Sequence, residues 1–211
     1  MRYRSYNPTL ARLYGKKPSR TDRLIQHRSE LTHTEIQFSD RYGGISFSAT
    51  MADDCKCARF KMIAYSHPER WCTTELEMTD EQEDAVFEKC CEMADIDREC
   101  LEVWLLGCDD SMPADGYLHY GDDALKYDLN AVRFSFITKL NLWRGHEKKV
   151  FCTESCFIAL MEVWPELLCI YDRERDLGGG EWDREFKYLQ PDQLTPSLGD
   201  MIIRDFARRM K

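Results

Sequence analysis

An α+β fold is predicted by three features of this chain. Short alternating segments gather in its first third, helical periodicity dominates the later part, and strand and helix do not alternate regularly. Strands joined by tight turns pair antiparallel, so the expectation is an antiparallel sheet packed against helices.

The elements follow in order. The first 28 residues, "MRYRSYNPTLARLYGKKPSRTDRLIQHR", carry most of the early Arg and Lys. They read as a basic N-terminal arm over 1–29, ahead of a single domain over 30–211. "ELTHTEIQFS" (30–39) alternates as a strand, with Leu31, His33, Glu35 and Gln37 on one face and Thr32, Thr34, Ile36 and Phe38 on the other. "SDRYGG" supplies a turn, and "ISFSAT" (45–50) completes a hairpin. "CARFKMIAY" (57–65) and "RWCTTELEM" (70–78) are the next strand patterns.

From Thr79 the pattern becomes helical. Thr79 and Gln82 have capping-box spacing, and Val86, Phe87, Cys90 and Met93 form the apolar stripe. "ECLEVWLLGC" (99–108) fits helix or strand, and "DDSMPADGYLHYGDD" reads as a loop. Residues 127–143 have helical spacing with Asp128 as a cap. "FCTESCFIALMEVW" (151–164) is a helix ended by Pro165. "DRERDLGGGEWDREF" is a polar loop, and "TPSLGDMIIRDFARRM" is a last amphipathic helix with Thr195 as cap and Pro196 in its first turn.

Composition narrows the function classes. Over 211 residues, 43% are hydrophobic and 12% aromatic, which suits a globular chain with a core of its own. The 29 basic and 38 acidic side chains leave a formal charge of −9, which argues against a broad nucleic-acid surface. No apolar run has the length of a membrane span, and the N-terminus lacks the apolar region of a secretory signal, so a cytoplasmic location is expected.

Ten cysteines are present. In such a setting most are expected as reduced, buried thiols. "DCKC" (Cys55, Cys57) has no second tidy pair at zinc-ligand spacing, and "LGGGEW" lacks the lysine of a phosphate loop. No metal and no organic cofactor is called for.

Cys152 stands apart by position. In "KKVFCTESCFIAL" a polar stretch ends and an apolar helix begins almost at that residue. A thiol in the first turn meets backbone N–H groups without helical partners and the positive end of the helix dipole, both of which stabilise a thiolate. A nucleophilic cysteine also needs a base. Of the five histidines, His27, His67, His119 and His146 fall in turns, loops or polar sequence. His33 alone lies in a clear strand, on the face that carries Glu35.

These segments carry a resemblance. "THTEIQFSD" resembles the histidine strand, and "FCTES" the cysteine helix start, of the circularly permuted papain-like cysteine hydrolases, the NlpC-like superfamily and its YiiX-like group of phage and bacterial members. "KYDLNAVRF" and "LTPSLGDMI" resemble further segments of that group, over about residues 30–203. In papain the cysteine precedes the histidine; in the permuted group the histidine strand comes first, as here. The family usually has serine after the nucleophile, where this chain has Thr153.

The resemblance implies a permuted papain-like fold with the catalytic cysteine at a helix N-terminus. It assigns Cys152 as nucleophile and His33 as general base. The third, orienting residue of the family comes from the next strand, which here offers only Ser46, Ser48 or Thr50; Ser48 is the preferred position, and Glu35, two residues from His33 on the same side of its own strand, is the substitute. Glu154, Thr153 and Tyr127 are placed beside the substrate. The implied activity is a cysteine hydrolase or acyltransferase acting on an amide or thioester of a peptide, protein or acyl-containing substrate, in a bacterial or phage-infected host cytoplasm. Two alternatives stand beside it: a papain-like binding module with a weak site, and a thiol-rich metal-binding or redox protein.

Overall fold

The hairpin expected at residues 30–50 lies in the middle of a six-stranded sheet. The structure is a computed structural model, and it describes residues 1–13, 15–26, 29–51, 55–107, 118–128, 149–168 and 194–211. The strands are β1 (Arg2–Tyr6), β2 (His33–Gln37), β3 (Ser46–Ala49), β4 (Ala58–Lys61), β5 (Trp71–Glu75) and β6 (Leu118–His119). Their order is β5-β1-β2-β3-β4-β6, and every neighbouring pair is antiparallel. The α+β class and the antiparallel sheet are therefore present.

β1 corrects the reading of residues 1–29 as an arm. Arg2–Tyr6 sit between β2 and β5, with Tyr6 opposite both His33 and Trp71. "RYRSY" alternates: Tyr3 and Ser5 are fully buried, while Arg2, Arg4 and Tyr6 take the other face. The arginines conceal a strand pattern because their guanidinium groups have partners there. Arg2 pairs with Glu75 at 2.8 Å, and Arg4 donates to Gln37 at 2.8 Å and lies 4.0 Å over the Tyr65 ring. Two short helices follow, α1 (Pro8–Leu13) and α2 (Arg20–Ile25).

One sheet face is covered by helices. α3 (Asp80–Ala94) packs on β4, α5 (Cys152–Leu160) on β2 and β3, and α6 (Pro196–Arg209) on β1 and β5. α4 (Arg98–Gly107) resolves the ambiguous segment as a helix. α3 begins with the expected capping box: Gln82 N–H donates to Thr79 Oγ1, and Thr79 N–H donates to the Gln82 side chain at 3.0 Å. Thr195 caps α6 by accepting from Leu198 N–H at 3.2 Å. The core between the layers is aromatic, with Phe87 stacked on Tyr42 at 4.0 Å and edge-on to Phe38 at 5.0 Å.

The other sheet face carries Arg4, Glu35, Ser46 and Arg59, and Tyr65 from the segment after β4 closes over it. A separate parallel pair, β7 (Lys126–Tyr127) with β8 (Lys149–Val150), leads into α5. Tyr127 is thus in a strand and not in the helix expected from 127. The remainder of that segment, the glycine-rich loop, His27 and His146 lie outside the described residues.

Candidate active site

Cys152 is the first residue of α5, as its position in the sequence predicts. Two contacts fix that helix start to the sheet, and two more close it internally. Ser155 Oγ donates to Cys152 O at 2.9 Å and accepts from Ala49 N–H at 3.1 Å. Thr34 Oγ1 donates to Thr153 Oγ1 at 3.4 Å. Glu154 reaches back to the Phe151 N–H at 3.1 Å, half of a capping box, which places it in the helix cap.

β2 delivers His33 and Glu35 on one face. His33 Nε2 and Glu35 Oε1 are 2.8 Å apart, which leaves Nδ1 as the ring nitrogen outside that contact. Burial disfavours a charged imidazole here, but hydrogen bonds to Cys152 and to Glu35, and the charges of both, outweigh it and raise the His33 pKa to about 9. Burial likewise disfavours a thiolate. The hydrogen bond and charge of His33, the Thr34 backbone N–H and the Thr153 hydroxyl outweigh it, and the Cys152 pKa moves below its usual value.

Five other cysteines behave in the opposite way. Cys90 and Cys91 are pushed up chiefly by burial, as is Cys156, one turn on from Cys152; Cys57 is pushed up first by its hydrogen bond to Cys55, and Cys100 by the nearby Asp97 charge. The histidine contact, absent from the causes acting on those five, separates Cys152 from an ordinary core thiol.

Glu35, and not Ser48, faces the imidazole. The Glu35 carboxylate is buried and also accepts from Arg59 Nη2 at 3.0 Å and Tyr65 OH at 3.2 Å. Burial alone raises a carboxylic pKa, but the Arg59 charge and the His33 contact hold Glu35 down at about 2. Ser48 donates its hydroxyl to Thr34 O at 2.6 Å and to Ala49 O at 3.1 Å, which makes it a backbone tie between β2 and β3. Of the two positions weighed from the sequence, Glu35 is the one in contact with the His33 ring.

Thr153 does not line the cleft either. It is fully buried, beside Tyr3 and Gly199. A Cβ on Gly199 would come within 2.6 Å of Thr153 Cγ2 and 2.9 Å of Tyr3 OH, so glycine permits α6 to approach the start of α5. Tyr127, by contrast, does line the cleft beside Cys152.

The cleft has a volume of about 650 Å³. His33 and Glu35 form part of its floor, Tyr6, Tyr65 and Trp71 an aromatic wall, and Lys16, Lys17 and Asp22 a rim. The sulfur lies one layer below: Cys152 is only 2% exposed and packs with Phe151, Ile25 and Tyr127. His33 is 21% exposed at its side chain. The sequence reading missed Arg59, Tyr65 and the rim. Arg59 had a signal, because it alternates with Ala58 and Phe60 on a strand whose apolar positions point the other way. Tyr65 and the rim come from irregular segments and had none.

Among the described residues, no group of three or more His, Cys, Asp or Glu is placed to hold a metal ion, and no helix is long and apolar enough to cross a membrane. No protein-family model matches this chain, and no curated protein or solved structure matches it.

Proposed function

We propose that this protein is a cysteine hydrolase or acyltransferase that attacks an amide or thioester carbonyl through Cys152 and His33, in a permuted papain-like arrangement. The observation that carries the reading is the Cys152–His33–Glu35 relay: a depressed thiol at a helix start, an imidazole raised by it, and a carboxylate on the far ring nitrogen. The order of histidine strand before cysteine helix supports it.

Cys152 Sγ forms a bond to the carbonyl carbon, and first-turn amides of α5 are the donors nearest the developing oxyanion. As the tetrahedral adduct collapses, the carbon–nitrogen or carbon–sulfur bond breaks and the leaving group takes the His33 proton. Water or another acceptor then attacks the acyl-thioester. His33 takes its proton and returns to the starting state when the thiolate departs. Glu35 keeps Nε2 protonated and the ring aimed, and Arg59 and Tyr65 keep Glu35 ionised.

The test is profiling with fluorogenic peptide-amide and acyl-thioester probes. Turnover of at least one class is expected from the wild type, with a loss of at least a thousandfold in Cys152→Ala. Equal turnover by both proteins contradicts the reading. The roof of Ile25 and Tyr127 favours a second reading, a binding module whose cleft holds a partner without chemistry. Under that reading Ile25→Ala exposes the thiol and produces no turnover.

A further inference from the structure

Cys55 and Cys57 lie just before β4 with one residue between them, and their side chains are in hydrogen-bond contact. Two residues of chain span about 7 Å at full extension, near the outer limit of the Cα separation that a disulfide bridges. Lys56 between them has φ +48°, in the left-handed region. A side chain of this kind rarely adopts that conformation, and it is more compact than a strand, so it draws positions 55 and 57 together.

Cys57 is the fixed member of the pair. Thr50 N–H donates to Cys57 O at 3.1 Å, Tyr127 N–H to Lys56 O at 2.9 Å, and Ala58 N–H to Leu125 O at 2.8 Å. Cys57 thereby pairs across from Lys126. It is fully buried, whereas Cys55 is partly exposed. One sulfur is open to a reagent from solvent, and the other is held behind it by a rigid frame. The relay at Cys152 makes no use of either thiol.

We infer that Cys55 and Cys57 are a redox-active dithiol that closes to a disulfide by exchange with a low-molecular-weight disulfide such as oxidised glutathione. This stands apart from the proposed hydrolase reading. The Cys55 thiolate attacks one sulfur of the reagent, a bond forms between those two sulfurs, and the other half of the reagent leaves as a thiolate. Cys57 loses its proton to solvent and attacks the Cys55 sulfur, which expels the second half. Two protein thiols are oxidised, and one reagent disulfide is reduced to two thiols.

The test equilibrates the full chain with mixtures of reduced and oxidised glutathione, traps remaining thiols with N-ethylmaleimide in acid, and maps the peptides by mass. A synthetic peptide of residues 51–60 in the same tube serves as the unfolded reference. An internal disulfide is expected in the fragment that holds Cys55 and Cys57, lighter by two hydrogens than the dithiol and reversed by excess reduced glutathione. Its equilibrium constant against glutathione is expected about tenfold or more above that of the peptide, because the fold already holds the two sulfurs together. In Cys57→Ser the reaction stops at a glutathione adduct on Cys55, and in Cys55→Ser the buried Cys57 takes up no glutathione. Three results overturn the inference. Cys55 stops at the glutathione adduct in the wild type, Cys55 and Cys57 both remain thiols while the exposed Cys100 reacts, or the folded chain is no more readily oxidised than the peptide. The wild-type equilibrium decides the matter even where a variant fails to fold.

Discussion

Glu35 is held by three partners at once, His33, Arg59 and Tyr65, in a setting that is almost fully buried. Removing its charge breaks the buried Glu35–Arg59 ion pair from one side. Glu35→Gln is therefore expected to cost about 3–5 kcal/mol of stability in urea denaturation, the magnitude for breaking a buried ion pair from one side. The same change lowers the His33 pKa and slows iodoacetamide labelling of Cys152 at pH 6–7 by about tenfold or more. Ser48→Ala loses a hydroxyl tie between strands and leaves the pH profile of Cys152 labelling unchanged. A profile that follows Ser48 and ignores Glu35 contradicts the assignment of Glu35 as the residue that positions the imidazole. At this scale the placement of Cys152 at a helix start and of His33 in a strand was legible from local pattern, because each carries a short-range signal. The contact of Glu35 with the ring was legible only as an alternative, since choosing between Ser48 and Glu35 requires knowing where the ring nitrogens point.

At the scale of elements, two contacts govern the start of α5. The first is α6 at Gly199. A methyl there meets Thr153, Tyr3 and Phe157 at once, so Gly199→Ala is expected to destabilise the fold by about 1–3 kcal/mol through overpacking. Because Thr153 adjoins Cys152, the labelling rate of Cys152 changes with it, whereas a purely global effect on stability leaves that rate alone. The second contact is α2, whose Ile25 packs on Phe151 and Cys152. Ile25→Ala opens the roof and is expected to speed alkylation of Cys152 severalfold; an unchanged rate shows that access runs elsewhere. Most elements were readable in advance where periodicity and caps agree, as in α3 with Thr79 and Gln82. β1 was not, because basic side chains that pair with Glu75 and stack on Tyr65 look the same in sequence as those of a solvated arm.

Across the whole molecule, helices shield one face of the sheet and the cleft opens on the other, so the chain separates its core from its chemistry. Stability should follow pH through the same relay. Glu35 is depressed from 4.5 to about 2, so its contribution is complete above pH 4.5 and is lost as pH falls through about 2. His33 is raised from 6.5 to about 9, so its contribution is complete below pH 6.5 and is lost as pH rises through about 9. Urea denaturation of the wild type against pH is expected to show both limbs, and Glu35→Gln to flatten the acid one.

The central claim is that Cys152 shares a proton with His33 as a thiolate–imidazolium pair. Ultraviolet thiolate absorbance of the wild type minus that of Cys152→Ala, followed against pH, reads it directly. A thiolate signal already present at neutral pH, titrating away only in acid and weakened by His33→Ala, is the predicted result. A signal that rises only above about pH 8.5, as for a free thiol, and ignores His33 would contradict it.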